Sequence, residues 1–268
     1  MRSVGLLLAT AALVASGAAL SPLQAETPPP PSPASANCQN TGSFERWLSE
    51  YKKEALAAGI SRKTVSAVLD EMSLDQNTIA RDRRQSFFSQ TFTSFAGKLI
   101  SQGRINSGKA RLKQHADLFK RVEAEFGVPG PVIAAFWALE SDYGAGQGDF
   151  PVLRSLATLA YDCRRGEMFR KELTEALKIV DRGDLTPSEM IGSWAGELGQ
   201  TQFLPSHYVT YAVDYDGDGR RNLIKSVPDV IATTANFIKS LGWKAGEPWL
   251  EEVRVSASAK LPWDQADL

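Results

Sequence analysis

The sequence predicts a mainly α fold with little β structure. Apolar residues recur at spacings of three and four along most of the chain after residue 43. Serine, proline and glycine stand where such runs begin and end. The β signal is confined to two short stretches, residues 251–255 and, within an acidic loop, residues 222–224.

The elements are expected in the following order. Residues 1–25 read as an export signal: Arg2, an alanine-rich apolar run from Leu6 to Leu20, and a cleavage site near Ala25. Residues 26–37 contain Pro28, Pro29, Pro30, Pro31 and Pro33 and read as a linker. One domain is expected over 38–268. Its first helix carries Phe44, Trp47, Leu48, Tyr51 and Leu56 and stops at Gly59. Ser61 caps a second, with Val65, Val68, Leu69 and Met72 inside. Phe87, Phe88, Phe92, Phe95 and Leu99 form a stripe read as core. Residues 110–126 read as one amphipathic helix ended by Gly127, with His115 on its surface. Pro131 opens the next helix. Residues 132–139 are apolar on every side, so that helix is expected to be buried, with Gly144 as its stop. Later helices are expected over 153–161, 167–181, 187–198, 206–211 and 227–241.

Charge narrows the function. With 30 basic against 31 acidic residues the formal net charge is −1, which argues against nucleic acid as a partner. The chain has two cysteines, Cys38 and Cys163, and in an exported protein such a pair is expected to form a disulfide.

Three features carry chemistry. Glu140 ends the apolar helix, where desolvation and the negative helix end raise a carboxyl pKa and suit it to general acid work. The structural alternative is a helix-end glutamate reaching solvent. Asp142 and Glu197 are the candidates for a second acid, and neither spacing is compelling. The turn Gly196-Glu197-Leu198-Gly199-Gln200-Thr201-Gln202-Phe203-Leu204-Pro205 offers neutral hydrogen bonds from Gln200, Thr201 and Gln202, suited to sugar hydroxyls and N-acetyl groups. Asp214-Tyr215-Asp216-Gly217-Asp218-Gly219-Arg220 has the spacing of a calcium loop, with Asp214, Asp216, Asp218 and the Arg220 carbonyl as ligands. Lys225 stands where an EF-hand has its bidentate glutamate, and Asp229 can close a longer loop instead. The cation expected is structural Ca²⁺, with no organic cofactor.

Together these residues resemble the lytic murein transglycosylases of the membrane-bound B type, over about residues 43–250. The resemblance rests on Phe126-Gly127-Val128-Pro129 leading to Trp137-Ala138-Leu139-Glu140-Ser141-Asp142-Tyr143-Gly144, and on Leu156-Ala157-Thr158-Leu159 with Arg164-Arg165. It continues through Gly192-Ser193-Trp194-Ala195-Gly196, Gln202-Phe203-Leu204-Pro205-Ser206, Tyr211-Ala212-Val213-Asp214 and Ala235-Asn236-Phe237. It implies a lysozyme-like helical fold (α+β in the lysozyme sense) and a periplasmic enzyme. It also implies cleavage between N-acetylmuramic acid and N-acetylglucosamine of peptidoglycan strands, leaving a 1,6-anhydro product. Glu140 would be the single acid and base, and Ser193 and Gln202 would meet the muramic residue. Arg164 and Arg165 would meet peptide or lactyl carboxylates, and the loop closed by Asp229 would hold calcium. The chain departs at Thr201, where the family often has glycine, and at Phe237, where it often has an aromatic hydroxyl. It ends at Leu268, so the C-terminal part of the groove is expected to be missing. A monomer is expected, with cell-wall assembly proteins as possible partners. The rival readings are a catalytically weakened peptidoglycan-binding relative and a hydrolytic muramidase.

Overall fold

Helix starts fall where side chains can cap them. Ser43, Ser61, Asp75, Ser101 and Ser226 each accept a hydrogen bond from the backbone N–H two or three residues on. The computed structural model describes residues 40, 42–84, 92–248, 252–256 and 258–259, with backbone alone at 92–93, all within one compact unit. The expected signal, linker, Cys38, Phe87 and Phe88 lie outside the described residues; Cys163 is not a free thiol.

Among the described residues the helices are α1 (Phe44–Ala57), α2 (Arg62–Leu69), α3 (Gln76–Arg83), α4 (Phe92–Leu99), α5 (Gln102–Gln114), α6 (Ala116–Phe126) and α7 (Gly130–Ser141). They continue with α8 (Val152–Tyr161), α9 (Gly166–Asp181), α10 (Pro205–Tyr211) and α11 (Val227–Ser240). The mainly helical expectation holds. Two packing groups form. In one, α9 lies against α8 and α10, with α1, α2 and α3 around them; in the other, α11 and α5 lie against α6 and α7. Phe169, Leu173, Ala176, Leu177 and Ile179 of α9 are at most 1% exposed and fill the centre of the first group. Each large side chain among them contributes about 1.5–3 kcal/mol by leaving water.

Several expectations need correction. Residues 110–126 are not one helix. The chain breaks at His115 (φ −113°, ψ 30°), which ends α5 and starts α6. His115 is not a surface residue either: its ring lies 6.4 Å from that of Trp137, and its Nε2 is buried without a partner. Residues 187–198 hold a short 3₁₀ turn (Pro187–Glu189) and a strand, β2 (Ile191–Gly192), antiparallel to β1 (Phe150–Pro151) with Phe150 opposite Gly192. Glycine explains the loss of the helix there: a Cβ on Gly148 would lie 2.2 Å from the Gly192 carbonyl oxygen, so the two backbones meet where side chains cannot. Neither expected strand forms among the described residues; 223–225 turn, and 252–256 carry no regular structure. Of the aromatic stripe, the two described side chains, Phe95 and Leu99, are only half-buried.

Candidate active site and metal loop

Glu140 sits on the last turn of α7. That helix was expected to be wholly buried, but only one side is. Ile133, Ala134, Trp137 and Ala138 face the core, while Phe136 is 37% and Leu139 50% exposed. The described neighbours α5, α6 and α11 cover one face. Glu140 is on the open side, directly after Leu139 and one turn after Phe136.

The chain leaves α7 through three consecutive left-handed residues, Asp142 (φ 51°), Tyr143 (φ 60°) and Gly144 (φ 87°). Such conformations cost on the order of 1–2 kcal/mol for each residue with a Cβ, and surrounding contacts must hold them. Here the Tyr143 N–H reaches the Trp137 carbonyl at 3.2 Å, and the Tyr143 hydroxyl donates to the Arg104 carbonyl at 2.9 Å. Arg104 also pairs with the Asp142 carboxylate at 3.2 Å, which takes Asp142 out of the contest for a second acid. Nothing in the sequence pattern marked Arg104, and Tyr143 stood in the family motif without a role, because what they do depends on α5 packing across α7.

Burial, and then the charge of Glu197, raise the Glu140 carboxyl above the usual carboxylate range. Glu140 offers area to solvent and yet has protein crowding its carboxyl; water at its tip screens the effect without removing it. The loop that carries Glu197 is tightly made. The Ser193 hydroxyl donates to the Glu197 carboxylate and accepts from the N–H groups of Ala195 at 3.1 Å and Glu197 at 3.2 Å. Glu197 is thus a second carboxylate that the structure brings toward Glu140, and Ser193 holds it. Replacing Glu197 by glutamine removes a negative neighbour, so ionisation of Glu140 becomes easier. In a carbon-13 NMR titration the Glu140 midpoint is expected to fall in Glu197→Gln; an unmoved midpoint would show that the two carboxyls do not interact.

Gln202 lies in the left-handed region (φ 48°), and its amide donates to the carbonyls of Gln147 at 3.1 Å and Gly199 at 2.9 Å. Its side-chain oxygen has no protein partner among the hydrogen bonds described. Gln200 does not match the expected sugar contact: it is 6% exposed and turned inward. Its amide oxygen accepts from the Trp137 indole at 2.8 Å and its amide nitrogen donates to the Ile224 carbonyl at 3.0 Å. Arg164 and Arg165 are likewise engaged. Both pair with Asp82 of α3, which is 1% exposed, and Arg165 also lies over the Phe169 ring at 4.8 Å. Their position follows from the buried charge of Asp82, which requires partners. Asp82 stands in a run whose arginines dominate the sequence.

The acidic loop is narrower than expected. Asp214, Asp216 and Asp229 each offer a carboxylate oxygen, all within 4.8 Å of one another. Asp218 is outside that group; its carboxylate accepts from the Arg220 N–H at 2.8 Å. The Arg220 side chain is spent on the Asp184 carbonyl and on Glu189, 2.8 Å away. Asp229 is fully buried at the start of α11, and burial raises its carboxyl. It accepts from the N–H groups of Tyr215 at 2.8 Å and Asn222 at 2.7 Å, so it ties both ends of the loop. Three close carboxylates, all hard oxygen donors, fit Ca²⁺ better than a softer metal. Asn222 and Ser226 also shape the loop: Asn222 accepts from the N–H groups of Ile224 and Lys225, and Ser226 donates to Asp216.

Comparison with known proteins places this geometry among relatives. Residues 43–267 match the family model described as Transglycosylase SLT domain. Membrane-bound lytic murein transglycosylase B of Escherichia coli (strain K12) is 35% identical over 166 residues, covering 62% of this chain and 45% of that protein. The structure of SltB3 from Pseudomonas aeruginosa in complex with NAG-NAM-pentapeptide superimposes with a TM-score of 0.78 at 42% identity, over 82% of this chain and 59% of that one. A second structure of SltB3 holds NAG-anhNAM-pentapeptide. The Escherichia coli lytic transglycosylase Slt35 in complex with calcium gives a TM-score of 0.69 at 28% identity, over 78% of this chain and 68% of that one. The chain thus spans about half of the curated relative and well under two thirds of SltB3.

Proposed function

Because the chain belongs to the transglycosylase SLT domain family, we propose that it is an exported, periplasmic lytic transglycosylase. It cleaves the bond between N-acetylmuramic acid and N-acetylglucosamine in peptidoglycan and leaves a 1,6-anhydro end. The observation that carries this reading is Glu140: an exposed carboxyl on the open side of α7, held toward its acid form by burial and by Glu197. The protonated carboxyl gives its proton to the leaving glycosidic oxygen. The carboxylate so formed takes the proton of the muramic C6 hydroxyl as that oxygen closes on C1. The substrate supplies the nucleophile, so no water-activating partner is required. SltB3 supports this reading through its complexes with both NAG-NAM- and NAG-anhNAM-pentapeptide.

Ser193 and Gln202 are proposed to meet the muramic residue, Ser193 by exchanging its bond to Glu197 for one to sugar. Ca²⁺, when bound by Asp214, Asp216 and Asp229, supplies a charge that joins two chain segments; Slt35 supports the assignment. The nearness of Glu197 favours a second reading, hydrolysis with Glu197 as the water-activating base. Digestion of sacculi in ¹⁸O-water separates the two. Products that carry no label and lack the one water that hydrolysis adds are expected; reducing ends carrying ¹⁸O would establish the hydrolase instead.

A further inference from the structure

We infer that Gln200 is a positioning residue that fastens the loop of the acidic cluster to the helix bearing Glu140. Each of its four polar groups goes to a different place. Its N–H donates to the Leu223 carbonyl at 2.8 Å and its side-chain nitrogen to the Ile224 carbonyl at 3.0 Å. Its side-chain oxygen accepts from the Trp137 indole at 2.8 Å, one turn before Glu140. Its carbonyl accepts from the hydroxyl of Ser141, the residue after Glu140. The Ser141 oxygen in turn accepts from the Gly144 N–H at 2.9 Å, closing the left-handed exit of α7.

From the other side, Ile224 is fixed by Asn222, whose side-chain oxygen accepts its N–H at 3.2 Å. The Asn222 N–H donates to Asp229 at 2.7 Å, and Asp229 belongs to the carboxylate cluster. A continuous set of hydrogen bonds therefore runs from Asp229 through Asn222, Ile224, Gln200 and Trp137 to the turn that carries Glu140. Space enforces the same arrangement: a Cβ on Gly144 would lie 2.5 Å from the Gln200 side-chain oxygen. With Gln200 buried, a cation at the cluster acts on Glu140 through this residue, and sugar never touches it.

The kinetic part of this inference rests on the proposed transglycosylase reading; the spectroscopic part does not. Gln200→Met keeps the volume and removes both side-chain bonds. On purified peptidoglycan, kcat is expected to fall about 10–100-fold with KM changed less than about twofold, the pattern of misplacement rather than lost binding. In the wild type the Trp137 indole N–H resonance, assigned with Trp137→Phe, is expected to shift when calcium is added. In Gln200→Met that shift should vanish while calorimetry still shows calcium binding. A Trp137 resonance indifferent to calcium in the wild type, or still responsive in the variant, would overturn the coupling. Unchanged kcat with raised KM would make Gln200 a sugar ligand instead. Should Gln200→Met fail to fold, Ser141→Ala removes one tie and leaves Gln200 in place. It is expected to lower kcat with KM held, and an unaltered kcat would count against the inference. If peptidoglycan proves not to be turned over at all, the resonance experiment alone decides.

Discussion

Glu140→Gln is expected to lower turnover of sacculi by at least about 10²–10⁴-fold, the usual contribution of a positioned acid–base group. The amide keeps the shape of the carboxyl and cannot pass a proton in either direction. Since one residue is proposed to serve as both acid and base, one substitution removes both transfers. Binding of glycan fragments is expected to survive, because Glu140 is exposed and no described hydrogen bond of the fold depends on its side chain. Thermal unfolding should be close to wild type for the same reason. Muropeptide release measured beside fragment affinity checks this. A variant that still releases anhydro-muropeptides within a factor of ten of wild type would remove Glu140 from the chemistry.

Asp229→Ala is expected to have the largest effect on stability. Its carboxylate is fully buried and accepts from the Tyr215 and Asn222 N–H groups. Truncation leaves two donors unpaired, at about 1–3 kcal/mol each, and takes one ligand from the cluster. The loss should total about 3–5 kcal/mol, a drop in Tm on the order of 10 °C for a domain of this size. The rise in Tm with calcium should disappear with it. Asp218→Ala is the control, being exposed and outside the cluster, and should change little. Melting curves in chelator and in millimolar calcium decide. A wild-type Tm and an intact calcium response in Asp229→Ala would refute the assignment.

The helical fold was legible because its signals are local. Capping by Ser61, the stop at Gly127 and the period of α8 and α9 need only neighbouring residues. Glu140 and the core of the acidic loop were legible for a similar reason, since an odd charge in an apolar run and a dense aspartate spacing are visible in one dimension. What sequence could not supply was direction. Gln200 reads as polar and available, yet it points inward because Trp137 and Ile224, distant in sequence, present a donor and an acceptor to it. Arg164 and Arg165 read as available to a carboxylate of the substrate until Asp82 is seen buried against them. The open face of α7 was invisible too, because an all-apolar helix carries no mark of which side its neighbours leave uncovered.

The sewing of α1 and α2 onto α9 has a consequence for the order in which the chain acquires its shape. Tyr51 meets Thr174, Glu54 meets Arg170, and Ser61 and Thr64 meet Asp181, across separations of 116 to 123 residues. Closing so long a loop costs chain entropy before any of these contacts is repaid. Helices α1 and α2 can meet each other at once, but their partner α9 lies more than a hundred residues further along the chain. The faces they turn to α9 stay uncovered until that helix has been made. A nascent chain stalled before α9 is the form of this protein most in need of a holding chaperone.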